Sequence, residues 1–163
     1  MTRDEMVKKL TESYEGFFDL NYYSDSPVGL FARCDFHIHN EKYVLVKSAR
    51  LWEADCHEYV YIFSVKNLTE EVFERCRAYV IQEGDKLIDP KPGHMYTYLT
   101  AVFICDDFTK EAKALLKKSK RYKSYRFSLN GWSEFRTFAV RARDKVSFHN
   151  KATKESAKLV KKL

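Results

Sequence analysis

Glycine and proline are scarce in this chain, at 5 and 3 of its 163 residues. Collagen-like, linker-rich and low-complexity architectures are thereby excluded, and no repeat at the ~20–50-residue periods of solenoids is visible. The four cysteines, Cys34, Cys56, Cys76 and Cys105, stand singly. Without a C-x-x-C pair or histidines at zinc-finger spacing no structural zinc site is expected, and they read as buried, reduced thiols. No long hydrophobic run is present either. The longest uncharged stretch, residues 92–105, is broken by His94, Tyr96, Thr97, Tyr98 and Thr100, too short and too polar to span a bilayer. The first residues lack the apolar segment of a secretion signal, so a cytoplasmic location and no membrane partner are expected. Phosphate-binding and nucleophile-elbow glycine motifs are missing as well, which sets aside P-loop, Rossmann and serine-hydrolase chemistry; no cofactor is expected.

What is present is enough apolar material for one domain: 45% hydrophobic and 15% aromatic residues. The whole chain, 1–163, is read as a single domain. Its net charge of +6 hides an asymmetry. Residues 1–116 carry 14 lysines and arginines against 20 acids, a balance of −6, whereas residues 117–163 carry 15 against 3, or +12. A basic subregion of this kind raises the local concentration of phosphate polyanions and often marks a nucleic-acid or anionic-surface partner; a solvated, solubilising face is the plain alternative.

Apolar spacing of three and four predicts a helix over 4–20 through Met6, Val7, Leu10, Tyr14, Phe17 and Phe18. Alternation predicts a strand over 30–40, a tight turn at Asn40-Glu41, and strands over 43–51 and 58–65. Thr69, followed by Glu70 and Glu71, caps a second helix that ends at Gly84. A near-continuous apolar run over 95–105 reads as a central strand covered on both faces. A third helix follows over 109–120. Asn130-Gly131 predicts a two-residue hairpin between strands 122–129 and 132–141, facing Tyr125 with Arg136. A short strand at 146–148 and a lysine-rich helix from Thr153 close the chain. The fold class is therefore α/β, a central mixed sheet flanked by helices, with three to four long helices and six to seven strands.

The opening order α-β-β-β-α-β resembles that of restriction-endonuclease-like folds, whose strands present two acids and a lysine to a divalent metal. An acid-x-Lys pair on the third strand is absent here. The nearest charged candidates for a catalytic set are Glu41, Lys47 and Glu58, with His94 at a strand entrance as a possible base; surface ion pairing and capping are their plain readings. Asp35, His37 and His39 share one strand face about 7 Å apart, a spacing that needs a bulge or a ligand from elsewhere to hold a metal, and exposed strand histidines are the plain reading. Near the hairpin, Lys120, Arg121, Lys123, Tyr125, Arg126 and Arg136 interleave rings with cations, as in proteins that hold single-stranded nucleic acid. Part of those rings is expected to be core.

Taken together, residues 40–47, Leu51-Trp52-Glu53, Glu58-Tyr59-Val60, residues 92–96, Gly131-Trp132, Lys145-Val146 and Lys154-Glu155 resemble a family of small bacterial proteins known as a domain of unknown function, over nearly the whole chain. The resemblance implies a bacterial, cytoplasmic, free-standing domain and assigns no catalytic residue. The leading expectation is a nucleic-acid-associated protein on a nuclease-like scaffold with an incomplete or absent metal site. A protein-interaction module or self-associating homodimer is the second, and an enzyme acting on an anionic small molecule near Lys47, Glu58 and His94 the third.

Overall fold

Thr2 starts the first helix with a capping box: its hydroxyl accepts from the Glu5 backbone N–H while the Glu5 carboxylate accepts from that of Thr2. The computed structural model describes residues 1–43 and 50–154, with side chains for 1–39 and 54–154. In order, the elements are α1 (Arg3–Tyr14), β1 (Asp19–Tyr22), β2 (Leu30–Tyr43), β3 (Arg50–Leu68), α2 (Glu70–Leu87), β4 (His94–Phe108), α3 (Lys110–Lys118), β5 (Tyr122–Ser124), β6 (Trp132–Arg141), β7 (Ser147–His149) and a 3₁₀ turn (Lys151–Thr153). The strands form one mixed sheet of order β1-β2-β3-β4-β6-β5, with β7 also on β6. β2 is antiparallel to β1 and β3, whereas β3, β4 and β6 are parallel. The expected mixed α/β sheet, central 95–105 strand and flanking helices are all found.

Burial assigns the helices to faces. α1 sets Met6, Val7 and Leu10 on Val60, Ile62, Val102, Ile104 and Phe138. α2 and α3 set Phe73, Cys76, Val80, Ala112 and Leu116 on the opposite face, against Tyr61, Phe63, Leu99, Phe103 and Phe135. Each large side chain buried this way contributes roughly 1.5–3 kcal/mol. The rings of Phe63 and Phe103 stack at 5.2 Å, and Phe73 covers Phe103 at 5.6 Å. All four cysteines are free and buried, and burial pushes the Cys34, Cys76 and Cys105 thiols up to about 12. Among the described residues no helix is long and apolar enough to cross a membrane.

Several expected boundaries are corrected. The predicted first helix stops at Tyr14, and its last residues, from Asp19, become β1, paired to β2 at Leu20↔Cys34. No turn occurs at Asn40-Glu41: β2 continues through both, paired at Asn40↔Ala54 and Glu41↔Glu53. That dipeptide has no glycine to supply the positive φ of a tight hairpin turn. Most of the predicted 43–51 strand lies outside the described residues, and the predicted 58–65 strand is the inner part of the longer β3. α2 runs past Gly84, which faces β4 so closely that a Cβ would stand 2.6 Å from Leu99 Cδ2. The lysine-rich segment after 154 also lies outside the described residues.

The Asn130-Gly131 hairpin differs most. β5 ends at Ser124, its register is Tyr122↔Glu134 and Ser124↔Trp132, and seven residues, 125–131, connect it to β6. Asn130 is drawn inward: its Nδ2 donates to the Pro90 carbonyl at 2.8 Å and its own carbonyl meets His94 Nδ1 at 2.7 Å. Gly131, at φ +77°, lets the backbones close; a Cβ there would lie 2.2 Å from the Met95 oxygen. The displaced turn falls on Arg126, Phe127 and Ser128, three consecutive left-handed residues at φ 47°, 53° and 69°.

Candidate functional site

β2 and β3 extend past the end of α2, so one face of the sheet is left to polar side chains there. Side chains two apart on a strand share a face, and the antiparallel register sets them opposite one another. The pairs along this face are Arg33↔Tyr61, Asp35↔Tyr59, His37↔His57 and His39↔Asp55. Arg33 grips Asp35 with two bonds of 2.7 and 2.8 Å. His37 and His57 meet nitrogen to nitrogen, Nδ1 to Nδ1, at 2.7 Å. His39 Nδ1 contacts Asp55 Oδ1. With Tyr59, and with Leu87, Asp89 and Lys91 from the end of α2 and its following loop, His39, Asp55 and His57 line a cleft of about 350 Å³. Burial holds the His57 imidazole below its usual range, reinforced by His37 and His94 and opposed by Asp55.

His94 stacks parallel to His57 at 6.1 Å and stands edge-on to Tyr125 at 5.9 Å. It is buried, and both ring nitrogens are engaged: Nδ1–H donates to the Asn130 carbonyl, and Nε2 takes the Thr97 hydroxyl at 2.7 Å. His94 thus latches the 125–131 loop to β4. Neither nitrogen is left to take a proton from a substrate.

Glu58 follows His57 in β3 and points to the other face. There it accepts from Thr100 Oγ1 at 3.0 Å, in the field of Arg136, whose guanidinium lies 3.4 Å from the centre of the Tyr98 ring. Burial raises its carboxyl pKa; the Thr100 bond and Arg136 act in the opposite sense. Glu58 and His94 therefore lie on opposite sides of the sheet and share no pocket. Glu41 has a place in β2 opposite Glu53, and Lys47 lies outside the described residues.

The basic subregion divides. Arg121 pairs with Asp85 at 2.7 Å; Arg141 pairs with Asp107 and Asp144, and Arg143 with Asp107. Arg136 sits on the α1 face, away from the rest. Lys117, Lys118, Lys120, Lys123 and Arg126 are exposed in one continuous segment from the end of α3 into the loop. Asn150 Nδ2 donates to the Ser119 carbonyl at 3.0 Å, which brings exposed Lys151 and Lys154 to the same edge. Tyr122 is half exposed there and Phe127 at the loop tip is 99% exposed. Tyr125 is half-buried, its hydroxyl 3.0 Å from Ser133 Oγ, with Lys123 over its ring at 5.6 Å.

Residues 2–162 match the model of a family described as Domain of unknown function (DUF8052). The chain belongs to that family. No curated protein and no solved structure matches it. The DUF8052 match covers β1 to β7 entire, so the histidine cleft and the basic edge both lie inside it.

Asp55 and His57 were missed by sequence reading because they fell between two predicted strands. The signal that would have found them is the spacing Asp-x-His-x-Tyr, in phase with Asp35, His37 and His39 once the two strands are set antiparallel. Among the described residues no three His, Cys, Asp or Glu side chains are gathered to hold a metal ion.

Proposed function

We propose that this protein associates with nucleic acid through the outer edge of its sheet, on a nuclease-like scaffold whose carboxylate–lysine metal site is incomplete or lost. The observation that carries the reading is the Asn150–Ser119 bond, which joins Lys151 and Lys154 to Lys117, Lys118, Lys120, Lys123 and Arg126 on one edge. Seven exposed cations over that edge attract a phosphate backbone, and Tyr122 and Phe127 offer faces on which bases stack. Arg121 and Arg136, held by Asp85 and by Tyr98 respectively, act in the fold rather than in binding. The α-β-β-β-α-β order supports the scaffold reading. On β3 the residues two beyond Glu53, Asp55 and Glu58 are Asp55, His57 and Val60, so no lysine stands where metal-dependent cleavage places one. Four buried free thiols agree with a reducing, cytoplasmic setting.

Polarisation of a fluorescent oligonucleotide tests the proposal. Saturable binding of DNA or RNA at micromolar protein and low salt is expected; a flat titration removes it. A second reading has one specific support, the apolar tip formed by Phe127 at 99% and Leu129 at 75% exposure. That tip would fit a protein partner or a second copy of the chain. A stable dimer by light scattering, with no oligonucleotide binding, decides for it.

A further inference from the structure

The His37–His57 pair answers to a different chemistry from that of the basic edge. Two imidazoles stand directly opposite on neighbouring antiparallel strands, both on the face left open beyond α2. Their Nδ1 atoms are 2.7 Å apart. The ligand from elsewhere that His37 lacks on its own strand is supplied by β3. The backbone ladder on both sides fixes the separation, so two donors are held together without the entropy cost of gathering flexible side chains.

We propose that His37 and His57 form a two-point chelate for a divalent transition-metal ion at the head of the cleft. Nitrogens 2.7 Å apart, each at the usual ~2.0–2.1 Å from a metal, subtend about 80° at the ion. That angle matches the cis positions of a tetragonal or octahedral ion and is far from the tetrahedral one. Copper(II) and nickel(II), which favour tetragonal nitrogen–oxygen sets and lie high in the affinity order, are therefore preferred over zinc.

The surroundings agree with a cation. Asp55 and Asp89 face the cleft, with Lys91 as the single fixed positive charge among its described lining side chains. His94 is not a ligand, since both its nitrogens are taken, but its ring backs His57 and fixes the plane of that imidazole. Asp55, paired with His39, and Asp35, gripped by Arg33, are the carboxylates next to the pair along β3 and β2. This donor set is distinct from the carboxylate–lysine arrangement of nucleases and stands whether or not the edge binds nucleic acid.

Tag-free protein, dialysed against chelator, is titrated calorimetrically with Ni²⁺ and with Zn²⁺, and with Cu²⁺ followed by electron paramagnetic resonance. The expected result is one equivalent of Ni²⁺ bound more tightly than Zn²⁺, and a Cu²⁺ spectrum split by two equivalent nitrogens. H37A and H57A each weaken binding at least tenfold, while H149A, on β7, leaves it unchanged. His37 is exposed, so H37A keeps its fold, which circular dichroism checks. Absence of one-to-one binding, or equal affinity in wild type and H37A, overturns the proposal. So does loss in H39A with H37A unaffected, which would move the ion to the His39–Asp55 pair.

Discussion

Asn150 Nδ2 donates to the Ser119 carbonyl at 3.0 Å and to the Phe135 carbonyl at 3.1 Å, so one buried amide ties the end of α3 and the start of the basic C-terminal segment to β6. Its Oδ1 accepts from the Thr137 N–H and the Thr153 hydroxyl. Between β5 and β7, where the outer edge of β6 has no strand partner among the described residues, Asn150 does the work of one, and an otherwise open sheet edge is closed.

Replacing it should show both roles at once. N150A removes the Nδ2 donor of the Phe135 and Ser119 carbonyls and one of the two acceptors of the Thr137 N–H, which keeps Thr153 Oγ1 at 2.9 Å, for an expected loss on the order of 2–4 kcal/mol in urea denaturation. It also frees Lys151 and Lys154 from α3, so oligonucleotide affinity should fall under conditions in which the variant is still folded.

Gly131 and Gly84 make a graded pair. G131A places a Cβ 2.2 Å from the Met95 backbone oxygen at a positive φ, whereas in G84A the nearest atom is the flexible Leu99 Cδ2 at 2.6 Å. Backbone cannot yield as a leucine terminus can. Thermal melts should therefore rank G131A well below G84A, with G84A below wild type.

Glu58 sets a pH dependence. Its raised carboxyl pKa means that the folded state holds the proton more tightly than the unfolded chain, whose value is near 4.5. The contribution is largest below that value and is lost as the pH rises through the folded pKa. E58Q, which keeps an acceptor for Thr100 without the charge, should be the more stable protein at neutral pH. Its stability should also fall less than that of wild type as the pH is raised from 4.5. Urea midpoints of both proteins across that range measure it.

Cations at the edge should act individually on affinity. K118E and K120E each weaken oligonucleotide binding and reduce the salt slope by about 1. K66E, at an exposed site near the C-terminal end of β3 and outside the edge, should do neither. Titrations at several salt concentrations separate the two cases.

Much of this architecture was legible in the chain. Thr69 with Glu70 and Glu71 located α2, and the near-continuous apolar run over 95–105 located the central strand, because local capping and two-sided burial leave strong marks. β1 was not legible: Asp19 and Leu20 fall at the end of the predicted helix and Asn21 and Tyr22 in a turn-rich stretch, and only pairing with β2 makes them a strand. The Asn130-Gly131 signal marked the right connection but not its turn, which falls on Arg126 to Ser128, since Pro90 and His94, far away in sequence, pull Asn130 inside. The site was read in halves for the same reason. His37 and His39 were visible on their strand, but their partners Asp55 and His57 depend on a register that no local pattern encodes. The charge asymmetry was visible in full. Which cations stay free was not, because Asp85 and Asp107 reach Arg121 and Arg141 only in the folded chain.

The most direct test of the central claim is the affinity of the wild-type protein for a labelled single-stranded oligonucleotide as salt is varied. With several of the seven edge cations on phosphates, Kd should be micromolar at low salt and weaken about a hundredfold between 50 and 200 mM. No saturable binding at low salt, or an affinity indifferent to salt, would contradict the account.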